Sequence, residues 1–284
     1  MENIIFKDSV DGIEVERIER NSQFNMISKH FHNEFEIYYL LNGERYYFIE
    51  KQTYHIKEGS LVFIDRNQIH KTVGSDADYH ERMLLLISEK DLEDIFNYIN
   101  NQDVSSFFEN NYGVIELNED GQRYAEGLLF AITDELEQKH AGYEFLIRSK
   151  LTELMIFAYR CKHGENAELQ VNTVRTVKYK KINEIADYIS KNYQKSISLD
   201  TISKDFFISK CYLSRIFKEI TGFTVNEYIN IVRIKKARQH LENSEYSITE
   251  IAELIGYESI TYFEKVFKKY MEVSPLRYRR KYSR

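Results

Sequence analysis

The segment Tyr212-Leu213-Ser214-Arg215-Ile216-Phe217-Lys218-Glu219 is echoed about fifty residues later by Tyr262-Phe263-Glu264-Lys265-Val266-Phe267-Lys268-Lys269. No other feature constrains the fold as tightly, because two similar segments at that spacing call for two similar local structures. Each is preceded by a short amphipathic stretch, Ser198-Leu199-Asp200-Thr201-Ile202-Ser203 in the first copy and Ser247-Ile248-Thr249-Glu250-Ile251-Ala252 in the second. Ser198 or Asp200, and Ser247 or Thr249, offer a side-chain oxygen to the open N–H groups of a helix start. Turns follow at Phe207-Ile208-Ser209 and at Gly256-Tyr257-Glu258-Ser259. A short helix, a tight turn and a second helix, twice over, is a double helix-turn-helix.

The second helix of each copy divides into two faces. Leu213, Ile216, Phe217 and Ile220 recur at helical spacing, as do Phe263, Val266, Phe267 and Tyr270, and these stripes face a core. Lys210, Cys211, Ser214, Arg215 and Lys218 then face outward in the first copy, and Ser259, Ile260, Thr261, Glu264, Lys265 and Lys268 in the second. Between the copies Val225 to Leu241 reads as one long helix, with Tyr228, Ile229, Val232, Ile234, Ala237 and Leu241 apolar and Arg233, Lys235, Lys236 and Arg238 on a solvated or phosphate-contacting side. Pro275, the chain's one proline, opens a terminal basic helix.

Charge says what such helices meet. From Arg175 onward there are 22 Lys+Arg against 13 Asp+Glu, a net +9, while the remainder carries −15 of the total −6. A basic C-terminal part suits a polyanion. A helix of this width fits the major groove of B-DNA, where Arg215 can pair with guanine, Ser214 and Thr261 can bond base edges and Ile260 can touch a thymine methyl. Lys218 and Lys268 suit phosphates. Cys161 and Cys211 cannot make a disulfide framework and lack metal-ligand spacing. With neither a signal-peptide start nor an apolar run of membrane length, a cytoplasmic protein with no membrane partner is expected.

The stretch from about Ile182 to Arg280 resembles the DNA-binding domain of the AraC/XylS family of bacterial transcription regulators. The resemblance rests on Leu199, Ile202, Ser209, Tyr212 to Lys218, Thr221-Gly222, Tyr228, Arg233, Ala237, Leu241, Ile248, Ile251-Ala252, Gly256-Tyr257, Tyr262-Phe263, Val266-Phe267-Lys268 and Ser274 to Arg279. It implies base reading by Cys211, Ser214 and Arg215 from one helix and by Ile260, Thr261, Glu264 and Lys265 from the other. It also implies a double-stranded operator, a homodimer and recruitment of RNA polymerase by an activator.

The first part has another period. Phe35 to Leu41 and Arg45 to Ile49 are β-branched and aromatic runs about the turn dipeptide Asn42-Gly43, which predicts a hairpin. Tyr54-His55-Ile56 and Leu61 to Ile64 predict a second about Glu58-Gly59, and Met83 to Ile87 a buried strand. Leu128, Leu129, Ile132 and Leu136, then Phe145, Leu146, Leu151, Leu154, Met155 and Phe157, predict two amphipathic helices in an antiparallel pair. That pair forms either a dimer surface or a layer against the strands. The expected chain is α+β with two domains. A cupin-like β-barrel and helix pair occupy 1–168, a polar linker 169–180, and an all-α double helix-turn-helix domain 181–284.

His30-Phe31-His32, Glu36, Gly43, Gly59 and His70 resemble the two metal-site motifs of the cupin family, with Asp65, Asn67, Gly74 and Phe24 departing from the pattern. That resemblance would make His30, His32, Glu36 and His70 metal ligands, the donor set of a first-row ion. In sensor domains of the regulator family, histidines at these places line a pocket or serve as hydrogen-bonded structural residues. His30, His32, Glu36, Tyr38, Arg45, Tyr47 and His70 are accordingly the candidate effector-binding set, with a sugar as effector by family analogy. The expectation is a regulator with a small-molecule effector, no cofactor and no enzymatic activity. A metal-dependent cupin enzyme and a constitutive DNA binder whose barrel only mediates assembly are the alternatives.

Overall fold

The computed structural model describes residues 2–21, 32, 34–66, 68–74, 79–96, 113–163, 174 and 176–282. In chain order the elements are β1 (Glu2–Val10), β2 (Ile13–Asn21), β3 (Phe35–Ile49), β4 (Gln52–Lys57), β5 (Ser60–Ile64), β6 (His70–Gly74), β7 (Tyr79–Ile87), α1 (Glu89–Phe96), β8 (Gly113–Glu116), α2 (Glu119–Gln138) and α3 (Tyr143–His163). Then come α4 (Val177–Asn192), α5 (Leu199–Asp205), α6 (Lys210–Thr221), α7 (Val225–Asn243), α8 (Ile248–Leu254), α9 (Ile260–Met271) and α10 (Pro275–Tyr282). Two compact units divide mainly between Val174 and Arg175. Helix α4 opens at Val177, inside the stretch read as linker, and residues 169–173 and 175 of that stretch lie outside the described residues. Among the described residues no helix is long and apolar enough to cross a membrane.

The first unit is organised by β3. The hairpin expected at Asn42-Gly43 is absent: β3 runs through it as one strand of 15 residues. Gly43 sits at φ +88°, and the register against β7 slips between Leu40 and Asn42. This is a bulge, which uses a left-handed glycine as readily as a tight turn does. Past it, β3 changes partners: its first half pairs with β5 and β7, its second with β6. The Glu58-Gly59 turn forms, but β4 and β5 each pair with β3, so the turn carries the chain between pairings. Its amides donate to Gly43 O at 3.0 Å and Leu40 O at 2.9 Å.

Alternation along the strands gives this unit two cores. Phe35, Ile37 and Tyr39, with Leu61, Phe63, Met83, Leu85 and Ile87, pack against Leu129, Ile132 and Leu136 of α2 and Ile147, Leu151 and Leu154 of α3. Most of the helix pair's apolar stripes are therefore spent on the sheet, but Phe145 and Leu146, expected in the second stripe, are exposed together with Tyr124 and Tyr159. On the opposite face Tyr38, Leu40, Val62 and Ile64 meet Tyr47, Ile49, Tyr54 and Ile56 in the barrel interior.

In the second unit each helix from α5 to α9 begins on a side-chain cap. Ser198, Ser209, Thr224, Ser247 and Ser259 each accept from a backbone N–H, and Ser198, Thr224 and Ser247 form reciprocal capping boxes. Helix α7 buries Tyr228, Ile229, Ile231, Val232, Ile234, Ala237 and Leu241, each contributing about 1.5–3 kcal/mol of the kind large apolar side chains gain on burial, less for Ala237. Two of its arginines are structural. Arg233 donates to the carbonyls of Tyr193 and Lys195, both at 2.9 Å, and lies 5.2 Å from the Tyr257 ring. Arg238 is buried and donates to Tyr278 Oη at 2.9 Å, so the expectation that both lie on a solvated or phosphate-contacting side is corrected. A guanidinium can bond two carbonyls and stack at once, which its sequence position does not reveal.

Candidate functional site

Helices α6 and α9 present one buried and one open stripe each. Leu213, Ile216, Phe217 and Ile220 are buried on α6, as are Phe263, Val266, Phe267 and Tyr270 on α9. Lys210, Cys211, Ser214, Arg215 and Lys218 are all exposed, and so are Ser259, Ile260, Thr261, Glu264, Lys265 and Lys268. Ser259 is occupied as the α9 cap, accepting from Tyr262 N at 3.3 Å. Lys210 pairs with Asp200, tying the start of α6 back to α5. Arg215 lies 5.9 Å from the Tyr212 ring, a contact that orients a guanidinium while leaving its donors open. Cys161 and Cys211 are free thiols.

The turns holding these helices differ by one residue and share one device. Phe207 at φ +54° and Gly256 at φ +90° are both left-handed, and the next amide reaches back into the preceding helix, Ile208 N to Ser203 O at 3.0 Å and Tyr257 N to Ala252 O at 2.9 Å. This closes the helix end and re-aims the chain into the second helix. Glu258 is the extra residue of the second turn.

The interior of the first unit holds a compact polar group. Glu36, fully enclosed, accepts from Tyr47 Oη at 2.6 Å through Oε1, while Oε2 faces His32 Nε2 at 3.0 Å and His70 Nε2 at 3.4 Å. The Nδ1 atoms of both rings lie against backbone carbonyls, His32 on Glu34 at 2.9 Å and His70 on Gln68 at 2.8 Å. Each Nδ1 is thus the protonated nitrogen, and each Nε2 confronts a carboxylate oxygen. Such a contact needs a positive particle between the atoms. Protonated imidazoles satisfy it, and so would a divalent ion held by His32, Glu36 and His70, whose ligand atoms lie within 4.8 Å of one another. Burial pushes Glu36 up, but the His70 and His32 charges and hydrogen bonds hold it well below the carboxylate range. Burial pulls His32 down, yet Glu36 and Glu34 raise it overall. His30 lies outside the described residues.

Tyr38 and Tyr47 stand with ring centroids 5.3 Å apart, and Arg45 is 1% exposed. Burial first, then the charges of Arg20 and Arg82, lower the Arg45 pKa, while Tyr38 opposes them. Arg20, His80 and Arg82 were not singled out from the sequence. The alternation of Tyr79 to Ile87, with His80 and Arg82 opposite Met83 and Leu85, was the signal that could have found two of them.

A family model described as AraC-like ligand binding domain matches residues 12–155, and one described as helix-turn-helix domain matches 202–281. The uncharacterized HTH-type transcriptional regulator YdeC of Bacillus subtilis is 25% identical over 89% of this chain and 86% of its own. The lactose operon transcription activator of Staphylococcus xylosus is 28% identical over 55% of this chain and 54% of its own. The Msm operon regulatory protein of Streptococcus mutans is 34% identical, over 35% of this chain and 36% of its own. Among solved structures, ToxT from Vibrio cholerae aligns at 16% identity over 95% of this chain and 98% of that one, with a TM-score of 0.40.

Proposed function

The chain belongs to the AraC family of helix-turn-helix transcription regulators, and from that premise we propose that it activates transcription from operators read by α6 and α9, under control of a sugar bound in the barrel. The observation that carries the DNA reading is the division of those two helices, every apolar stripe residue buried and every candidate contact open to solvent. In this reading Cys211, Ser214 and Arg215, and Ile260, Thr261, Glu264 and Lys265, meet base edges, and Lys218 and Lys268 meet phosphates. Glu264 selects cytosine, whose N4 amine is the donor a carboxylate accepts. Similarity to a lactose operon transcription activator supports both the activating sign and the sugar. His32, Glu36, Tyr38, Arg45, Tyr47 and His70 are the proposed effector contacts. The exposed Tyr124, Phe145, Leu146 and Tyr159 of the helix pair support a homodimer, which would present two operator-reading modules to RNA polymerase.

Selection of bound duplexes from a random DNA pool by the full-length protein, at stated salt, tests the reading. Two short motifs about one helical turn apart are expected, the spacing at which two recognition helices enter one face of the groove. Folded protein that enriches no motif, with or without sugars present, would overturn it.

A further inference from the structure

The barrel interior has a second polar end. On β2 and β7, alternation puts Arg20, His80 and Arg82 on the face opposite the helix-packed Val15, Met83 and Leu85, with Arg20 directly across from His80 in the register. His80 lies across from Gly43 of β3 and Arg82 from Leu40, at the bulge, where the glycine leaves room against the His80 backbone. His80 is 2% exposed, Arg20 and Arg82 7% each, and Arg45 arrives from the second half of β3. Arg82 lies 5.9 Å from the Tyr38 ring. Glu16 accepts from Arg82 Nη2 at 2.6 Å and Glu2 from Arg20 Nε at 2.7 Å.

Those two carboxylates do not exhaust the cluster. Nδ1 of His80 and Nη1 of Arg82 are buried without a hydrogen-bond partner among the described residues. A buried guanidinium N–H left unmade is costly, and a forked donor of this kind matches a planar or tetrahedral oxyanion. Burial, then the charges of Arg45, Arg20 and Arg82, push His80 down to about 3. The charges of three guanidiniums thus reach His80 at this end, whereas the other end of the interior is built on Glu36.

We propose that Arg20, Arg45, His80 and Arg82 form an anion subsite that takes a carboxylate or phosphate group of the effector. The assignment rests on the reading of the barrel as the effector site and narrows that effector from any sugar to a small organic anion, an acidic or phosphorylated sugar among them. The group lies against Arg82 Nη1 and His80 Nδ1, and Tyr38 separates it from the Tyr47–Glu36 end.

Full-length protein is titrated at constant ionic strength with sodium acetate, sodium phosphate and, as a neutral contrast, lactose. Melting temperature is followed together with the NMR signal of the His80 ring, assigned by its loss in His80→Gln. At ten times the half-saturating concentration, acetate or phosphate raises the melting temperature by about 3–6 °C, and which of the two acts tells carboxylate from phosphate. The His80 signal moves with the same midpoint while those of His140 and His240 stay, and Arg82→Gln loses both responses. A rise that persists in Arg82→Gln is a general salt effect and overturns the subsite. So does a wild-type His80 signal that neither anion moves, whatever becomes of the variant's stability. Lactose acting where the anions do not overturns the subsite and leaves the effector reading standing. The effector reading fails separately, if a ligand that saturates the barrel leaves operator affinity unchanged.

Discussion

At the scale of single residues, the two kinds of DNA contact proposed for α6 separate by experiment. Arg215→Ala removes a forked base contact, so affinity for the selected operator should fall by about 1–3 kcal/mol and preference at one base position should relax. Lys218→Ala removes a phosphate contact, so binding should weaken evenly across sequences and the salt slope should shrink by about 0.9. Titrations at several salt concentrations distinguish the two, and both variants behaving as wild type would remove α6 from the interface. The Glu36 group makes a prediction in pH. Glu36, held below its ordinary 4.5, contributes stability that is complete above that value and lost as pH falls through the depressed one. His32, raised above its ordinary 6.5, contributes stability that is complete below that value and lost as pH rises through the raised one. Both contributions are complete only between about 4.5 and 6.5. In chelator-treated protein, the melting-temperature gap between wild type and Glu36→Gln should peak in that window and narrow on either side; a flat gap would mean that no charged pair forms. Glu36 and His70 were legible because their spacing is a motif. Arg20, His80 and Arg82 were not, since a charged residue on an alternating strand reads as solvent-facing until the sheet's other face is also enclosed.

At the scale of elements, Gly256 carries the second turn. It sits at φ +90°, and a Cβ there would lie 2.6 Å from the Gln194 carbonyl oxygen, part of the backbone following α4. Gly256→Ala should therefore cost about 2 kcal/mol or more, from left-handed strain plus a clash that rigid backbone cannot relieve. Phe207 holds the same bend in the first turn at 94% exposure and φ +54°, so Phe207→Gly should be neutral or mildly stabilising. Chemical denaturation of the two variants reads the contrast, and equal effects would mean the turns do not bear the same backbone demand. The helices α5 to α10 were legible in the sequence because their signals are local: a serine or threonine cap, an apolar stripe, one proline. The barrel's pairings were less so. Asn42-Gly43 specifies a left-handed glycine, but whether that glycine closes a turn or bulges a strand depends on β6 and β7, distant in sequence. The helix pair shows the same limit, since an apolar stripe states that a face is covered and not what covers it; here the cover is the sheet of the same unit.

At the scale of the whole molecule, a −15 first part and a +9 second part divide the labour, the acidic part repelling the polyanion that the basic part holds. Regulation then requires that a ligand in the first unit and DNA on the second bias a common set of arrangements. A ligand can shift those populations only by the difference in its affinity for them. If it changes operator affinity by some factor, operator must change its affinity by the same factor, and couplings of this kind run to about 5–150-fold. The expected outcome, with the ligand returned by the melting-temperature screen, is equality of two independently measured numbers. One is the ratio of operator affinities with and without saturating ligand; the other is the ratio of ligand affinities, by calorimetry, with and without saturating operator. Both must be taken at the same salt, because the phosphate contacts alone move operator affinity by orders of magnitude across ordinary salt ranges. Equality with a factor well above one makes the barrel the sensor of this regulator. A factor of one in both directions makes it a module of assembly, and the DNA-binding unit then works without a signal from it.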